Sequence, residues 1–209
     1  MLPRWIKVSQ AVDYVAGVHP RFDRAKAEAF LAKTQIKRTS RVPELSKGMV
    51  TQLHLALVMA IDAKLLVLNE PTLGLDILFR KSFYDSLLND YFDHTRTIVV
   101  TTHQVEEVQH ILTDLMFIDR GRIVLNTSME AFEDRYVEVM VMPDQADAAR
   151  ALNPIYERQV FGRSLFLFDS VDRGRLAALG EVRTPSIADL FVAVIGADQA
   201  AAEPQRAAA

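Results

Sequence analysis

The chain has no cysteine, no long apolar run and no strong excess of either charge. The absence of cysteine excludes a disulfide framework and a thiolate metal site. No segment reaches the roughly 18 apolar residues of a membrane-spanning helix, and the first residues do not form the apolar core that is expected of a signal peptide. The formal net charge of −3 gives no sign of a nucleic-acid-binding surface. If the protein serves a membrane, we expect it to do so through a partner.

The composition predicts an ordinary globular protein with a buried core. Apolar residues make up 50% and charged residues 24% of the 209 residues, which are typical values for such a protein. At this length, we expect one domain, or one domain with a small appendage.

Hydrophobic periodicity predicts a helical start followed by alternating helices and strands. The segment 65–68 is an unbroken apolar run and 97–101 is rich in β-branched residues, so both are predicted as buried parallel strands. The predicted helices are 8–16, 23–33, 46–61, 78–92, 104–112, 172–179 and 186–195. The other predicted strands are 115–119 and 122–125, which form a hairpin around Gly121, and 137–142 and 164–168. This order predicts a parallel α/β sheet with an antiparallel edge.

The polar end of the strand at 65–68 is the strongest functional signal. This strand ends in Asn69 and Glu70, and Pro71 stops it. In open parallel sheets, ligands bind outside the carboxyl ends of the strands. A carboxylate placed there can polarise water for attack on a phosphoryl group, so Glu70 is a candidate general base. The alternative interpretation is a surface glutamate at a strand end.

The next predicted strand ends in a histidine, His103, after Thr101 and Thr102. If the two strands are parallel, His103 lies on the same rim as Glu70. From there, it can hydrogen-bond a γ-phosphate or the attacking water. A capping histidine or a histidine satisfied in the core is the alternative.

The start of the helix at 46–61 has residues that suit phosphate. Ser46 is a predicted N-cap, and Gly48 allows a ligand to approach the amides of the first helical turn. Lys47 opposes the helix dipole at a cost of a few tenths to about 1 kcal/mol, and an anionic partner would remove that conflict. The alternative for Lys47 is a solvated side chain.

Gly74 and Asp76 lie in the loop that follows Glu70. Gly74 permits a tight backbone path. Asp76 either caps the following helix or contacts a partner surface, and both interpretations can hold together.

Together these segments resemble the ABC ATPase family. In order along the chain, they match its signature loop (45–49), its Walker B strand and D-loop (68–76), and its switch histidine (101–103). The family signature is Leu-Ser-Gly-Gly-Gln, and the Leu-Ser-Lys-Gly-Met of this chain resembles a variant in exporter-type members. The resemblance implies an α/β fold, a partial P-loop NTPase core with a mostly parallel sheet. The implied domains are a helical subdomain (1–44), the ATPase core (45–136), an α+β appendage (137–196) and a disordered tail (197–209).

The resemblance also implies a function. The chain is expected to be the ATP-binding and ATP-hydrolysing subunit of an ABC transporter, with ATP and Mg²⁺ as cofactors and Glu70 and His103 as catalytic residues. Its implied partners are membrane subunits and a second ATPase subunit in a head-to-tail dimer, with no nucleic acid. Its implied location is cytoplasmic, on the inner face of the cell membrane. The residues expected to contact the ATP held by the second subunit are Ser46, Lys47, Gly48, Met49 and Asp76.

Two departures from the family pattern matter. Asn69 stands where the family has an aspartate that holds a water on Mg²⁺, and a neutral amide supplies none of the charge that a hard cation prefers. No two glycines lie five positions apart and no glycine precedes a lysine, so these 209 residues contain no Gly-x-x-x-x-Gly-Lys-Ser/Thr phosphate loop. We therefore expect a chain that is truncated at its N-terminus and has little ATPase activity alone.

Two other functions stay open. The chain can be a non-enzymatic partner that lends its signature loop to a complete ABC ATPase. It can also be a soluble ABC-type ATPase of DNA repair or translation, although such relatives usually carry coiled-coil insertions or tandem cassettes that this sequence does not show.

Overall fold

The computed structural model describes residues 3 and 5–206, with side chains described up to residue 196. The chain divides into two compact units, Met1–His103 and Gln104–Ala209. The domain boundaries expected after residues 44, 136 and 196 stay predictions. None of the helices within the described residues combines the length and apolarity needed to cross a membrane.

The first unit alternates helices with two strands. Its elements are α1 (Val8–Val18), α2 (Arg24–Ala32), α3 (Lys47–Met59), β1 (Leu65–Asn69), α4 (Ile77–Ser86) and β2 (Thr97–Thr101). A π-helical turn, Leu87–Tyr91, extends α4, so the helix predicted for 78–92 is confirmed in extent.

Side-chain caps fix the starts of three of these helices. The side-chain oxygens of Asp23, Ser46 and Asp76 each accept a hydrogen bond from the backbone N–H three residues further on. Such a cap stabilises a helix by about 1 kcal/mol. The caps predicted for α3 and α4 are therefore confirmed, and they fix where the loops before these helices end.

Strands β1 and β2 form a two-stranded parallel sheet in which Asn69 lies opposite Thr101. Leu66 is buried, whereas Leu65 and Val67 are 57% and 59% exposed. The prediction that residues 65–68 are buried on both faces is therefore wrong. The reason is that the described part of the chain covers only one face of this ladder.

The second unit contains a hairpin and a four-stranded sheet. Its elements are β3 (Asp114–Asp119), β4 (Arg122–Ser128), α5 (Met129–Arg135), β5 (Tyr136–Val141), α6 (Ala146–Arg150), β6 (Tyr156–Val160), β7 (Arg163–Asp169), α7 (Arg173–Ala177), β8 (Gly180–Arg183) and α8 (Ile187–Arg206). The predicted hairpin of β3 and β4 is confirmed, and its two-residue turn at Arg120 and Gly121 has positive φ at both positions. The other strands form an antiparallel sheet in the order β6-β7-β5-β8.

This four-stranded sheet has an apolar cluster on each face. Val137 and Phe166 belong to one cluster, whereas Tyr136 and Leu167 belong to the other, together with Ile187 of α8. Successive residues of a strand point to opposite faces, so β5 and β7 contribute to both clusters. The predicted α+β character of this region follows from the same pattern, although β6, β8, α5 and α6 were not predicted.

Two further predictions need correction. The segment 104–112 is not an α-helix but two short 3₁₀ turns, Val105–Glu107 and Gln109–Ile111. The β-branched residues of this segment, Val105, Val108 and Ile111, lower its helix propensity. The hairpin of β3 and β4 was predicted as the antiparallel edge of the parallel sheet, but among the described residues it forms a sheet of its own.

The predicted tail, 197–209, overlaps the end of α8, and residues 207–209 lie outside the described residues.

Candidate functional site

The carboxyl ends of β1 and β2 meet at one rim. The parallel register ends with Asn69 opposite Thr101, and the backbone N–H of Glu70 donates to the carbonyl oxygen of Thr101 at 2.8 Å. Glu70 follows with φ 46°, in the left-handed region that residues with a side chain seldom adopt. The structure therefore brings the two predicted strand ends together, and the turn at Glu70 sets the direction of its side chain.

Glu70 and His103 are in direct contact at this rim. Oε1 of Glu70 lies 2.7 Å from Nδ1 of His103 and accepts the backbone N–H of the same residue at 3.0 Å. Oε2 accepts the hydroxyl of Thr102 at 3.2 Å. The side chain of Glu70 is 28% exposed and that of His103 67% exposed, so solvent reaches both. The predicted position of both residues on one rim is confirmed, their direct contact was not predicted, and their catalytic roles stay predictions.

The same contacts change the acidity of Glu70. The hydrogen bond from the His103 side chain lowers the pKa of Glu70, and the backbone N–H of His103 and the Thr102 hydroxyl act in the same direction. Partial burial opposes them by raising the pKa. The carboxylate therefore stays ionised at neutral pH, but the donors that hold it also weaken it as a proton acceptor. Its chemistry suits orienting a water more than removing a proton unaided.

The signature loop supplies a helix N-terminus. Ser46 caps α3 by accepting the N–H of Met49 at 3.2 Å, and Lys47 is the first residue of the helix. The first amides of an α-helix have no acceptor within the helix, and its dipole favours an anion at this end. The amides of Lys47 and Gly48 and the Lys47 ammonium are thus suited to a phosphate.

The signature loop touches the loop that follows Glu70. A Cβ at Gly48 would lie 2.9 Å from the carbonyl oxygen of Gly74, and the side-chain methylenes of Lys47 lie 3.8–4.0 Å from the Cβ position of Gly74. Gly74 itself has φ 84°. Asp76 caps α4 by accepting the N–H of Phe79 at 2.9 Å. Its capping interpretation is therefore confirmed, and its contact with a partner stays a prediction.

A separate cavity opens in the second unit. It has a volume of about 440 Å³ and is lined by residues of α5, β8 and the start of α8, including Phe132, Arg183 and Asp189. None of the predicted site residues lines it.

Comparisons with known proteins relate both the sequence and the fold to one group. The chain is 29% identical over 177 residues to the Nod factor export ATP-binding protein I of Rhizobium sp. (strain N33), a match that covers 79% of this chain and 58% of that protein. It is 24% identical over 135 residues to the ABC transporter ATP-binding protein YtrB of Bacillus subtilis (strain 168), covering 65% of this chain and 46% of that protein. The solved structure of a cobalt transport ATP-binding protein superposes with a TM-score of 0.54 and 16% identity, covering 86% of this chain and 65% of that one. No family model matches the chain.

The relatives of this chain are ABC transporter ATP-binding proteins. The chain spans about half the length of the curated relatives that it matches. The second structural match, the ATP-binding subunit of an ABC transporter, has a TM-score of 0.54 and 17% identity over 64% of this chain and 57% of that one, and it supports the fold alone.

The Mg²⁺ that is usual for an ABC ATPase does not fit the residues at this rim. Asn69 is neutral, and its Oδ1 accepts the hydroxyl of Thr101 at 2.6 Å. Both oxygens of Glu70, the neighbouring carboxylate, already accept hydrogen bonds. Within the described part of the chain, no group of three histidine, cysteine, aspartate or glutamate side chains is placed to hold a metal ion. Since protein sites for Mg²⁺ usually supply one or two available carboxylates, and the one carboxylate of this rim is already hydrogen-bonded within the chain, we derive no step through it.

Sequence reasoning named Thr101, Thr102 and Gly74 but missed the contacts that they make at this site. Thr101 and Thr102 donate to Asn69 and Glu70, and Gly74 meets the signature loop. The threonines had a usable signal, because two hydroxyl side chains follow a predicted parallel strand beside the acceptors. The contact at Gly74 had none, since it depends on how α3 packs.

Proposed function

We propose that this chain is the ATP-binding subunit of an ABC transporter, or a part of it, and that its signature loop binds the phosphates of ATP held by a second ATPase subunit. The observation that carries the proposal is the contact between Gly48 and Gly74, which holds the phosphate-suited start of α3 against the loop leading from Glu70. Two ligand-binding segments far apart in sequence thereby act as one surface.

The chemistry of the signature loop supports an anionic ligand. The first-turn amides of α3 donate hydrogen bonds, the hydroxyl of Ser46 is at the helix cap, and Lys47 supplies a positive charge. A bound phosphate would also relieve the unfavourable placement of Lys47 at the positive end of the helix dipole. Met49 closes the first turn through its N–H to Ser46.

Glu70 and His103 are the residues that we propose to act in the hydrolysis of ATP. Phosphoryl transfer depends on positioning and electrostatic stabilisation, and Glu70 held by His103 can orient a water toward a γ-phosphate. A phosphate loop must supply the remaining contacts, and these 209 residues contain none. We therefore propose that turnover occurs only in an assembly that provides such a loop. We further propose that membrane subunits are partners and that the assembly works on the cytoplasmic face of the membrane.

The test uses the tagged chain in membranes of the cell that produces it. An ATP analogue with a photoreactive group on its γ-phosphate is added, and labelled residues are located by mass spectrometry. We expect labelling within residues 45–49, and several-fold less labelling in Ser46→Ala. Ser128→Ala is the matched control, because Ser128 caps α5 in the same way, accepting the N–H of Ala131 at 3.1 Å. An unlabelled signature loop in an assembly that still binds the analogue would refute the proposal.

The same preparation distinguishes the two alternatives. Labelling at the signature loop with ATP turnover that is insensitive to Glu70→Gln would favour the non-enzymatic partner. Labelling without any co-purifying membrane subunit would favour a soluble ABC-type ATPase. For the main proposal, we expect Glu70→Gln to lower turnover by about 100-fold, because the neutral amide loses the charge that orients the attacking water.

A further inference from the structure

We infer that the rim formed by Asn69, Glu70, Thr101, Thr102 and His103 does not bind divalent cations, because it offers a single carboxylate and the oxygens of that carboxylate already accept hydrogen bonds within the chain. This inference goes beyond the proposed function. It concerns the rim and a metal ion alone, so it stands or falls independently of ATP binding.

Asn69 and Thr101 form a pair at the ends of the two parallel strands. These residues are opposite each other in the last register pair of β1 and β2, and the Thr101 hydroxyl donates to Oδ1 of Asn69 at 2.6 Å. A side-chain bond across the end of the ladder thus adds to the backbone pairing. The amide oxygen of Asn69 therefore already accepts a hydrogen bond that links the two strands.

Glu70 is the carboxylate next to this pair. Its Oε1 is held by the backbone and ring of His103, and its Oε2 by Thr102. A cation would have to displace these donors.

The rim carries little negative charge. Asn69 and the two threonines are neutral, so Glu70 is the one negative side chain among the five residues of the rim. Mg²⁺ and similar hard cations are held by carboxylates with waters or phosphates, and affinity rises with the number of charged ligands. One carboxylate that is already bound to three donor groups is a poor site. The neutral Asn69 therefore makes the rim a hydrogen-bonded cap on the strand ends instead of a metal site.

The experiment uses Mn²⁺ alone as a paramagnetic probe on the full 209-residue chain. Broadening of the backbone amide signals of the five rim residues is followed in ¹H–¹⁵N spectra as Mn²⁺ is added. We expect no saturable broadening at the rim of the wild-type chain. Asn69→Asp adds a second carboxylate, and we expect this variant to show saturable broadening at the rim.

Asn126→Asp is the matched control, because it adds the same charge at an exposed asparagine of a strand, β4. It should leave the rim signals unchanged. Saturable broadening of the wild-type rim, with an affinity close to that of Asn69→Asp, would overturn the inference. The wild-type titration decides this even if Asn69→Asp fails to fold. Rim broadening in Asn126→Asp equal to that in Asn69→Asp would also overturn it, because added charge anywhere would then suffice.

Discussion

The two sheets of this molecule cover their faces differently. In the sheet of the second unit, β5 and β7 carry apolar clusters on both faces, and the side chains of Leu165, Phe166, Leu167 and Phe168 are fully buried. In the parallel sheet of the first unit, Val67 and its neighbours leave one face exposed. The second sheet is thus covered on both faces by apolar residues of its own unit, whereas the described residues cover only one face of the first sheet.

Two glutamates make the same contrast at the level of single side chains. Glu138, on β5, is 1% exposed and pairs with Arg183 on β8, its partner in the strand register. Glu70, at the end of β1, is partly exposed and pairs with a solvent-accessible histidine. A buried pair contributes to the integrity of the fold, whereas a rim pair remains available to a ligand. The predictions below test that contrast.

The largest effect is expected from Arg183→Ala. This change leaves the carboxylate of Glu138 buried without its partner, and Oε2 of Glu138 already has no hydrogen-bond partner. Breaking a buried pair costs 3–5 kcal/mol, and we expect the lower end, about 3 kcal/mol, because Arg183 is half exposed. Urea unfolding of the chain measures the loss.

The control for this change is Arg163→Ala, at an exposed arginine of β7. It should alter the free energy of unfolding by no more than about 0.5 kcal/mol. If Arg183→Ala lowers the free energy of unfolding by less than about 1 kcal/mol, the buried carboxylate of Glu138 does not need its ion pair. The contrast between the buried pair at Glu138 and the exposed pair at Glu70 would then not hold.

Gly48→Ala is expected to have the next largest effect. Its Cβ would lie 2.9 Å from the carbonyl oxygen of Gly74, so the backbone of one loop must move. Overpacking of this kind costs about 1–3 kcal/mol, and it should also separate the signature loop from the loop at Gly74. Urea unfolding gives the stability, and hydrogen exchange of residues 72–76 reports the separation.

Gly17→Ala is the control, because no atom lies within 4 Å of the added Cβ and Gly17 is in helix α1. It should stabilise the chain by about 0.5–1 kcal/mol. If hydrogen exchange at residues 72–76 is unchanged in Gly48→Ala, the two loops do not affect each other. The observation on which the proposed function depends would then be lost.

The rim and the signature loop differ in how far the sequence predicts them. Glu70 and His103 were placed together because adjacent parallel strands end at one edge, a rule that needs no knowledge of packing. The Gly48–Gly74 contact and the bond between Thr101 and Asn69 depend on tertiary packing and on strand register, which local patterns do not specify. For the same reason, the exposed face of β1 was missed, since an apolar run indicates a buried strand without saying what covers it.

Thr101→Val tests whether the bond to Asn69 stabilises the strand ends. It removes the hydroxyl that donates at 2.6 Å while keeping the shape of the side chain. A single hydrogen bond contributes about 0.5–1.5 kcal/mol, and solvent at this exposed rim favours the lower half of that range. Thr97→Val, at the other end of β2, is the control and should be nearly neutral. Equal effects of the two changes would indicate that the bond contributes nothing.

The smallest expected effect is on the acidity of Glu70. Since its pKa is lowered in the folded chain, first by the hydrogen bond from His103, the resulting stabilisation is fully present above the unfolded-state pKa. It is lost as pH falls through the folded-state pKa, which lies below the ordinary value of 4.5. In ¹³C NMR titrations, His103→Ala should raise the pKa of Glu70 only part of the way to its ordinary value, because Thr102 still donates. His94→Ala should leave it unchanged. If the pKa of Glu70 is unchanged in His103→Ala, the two side chains are not paired in solution. Glu70 would then be an ordinary surface carboxylate.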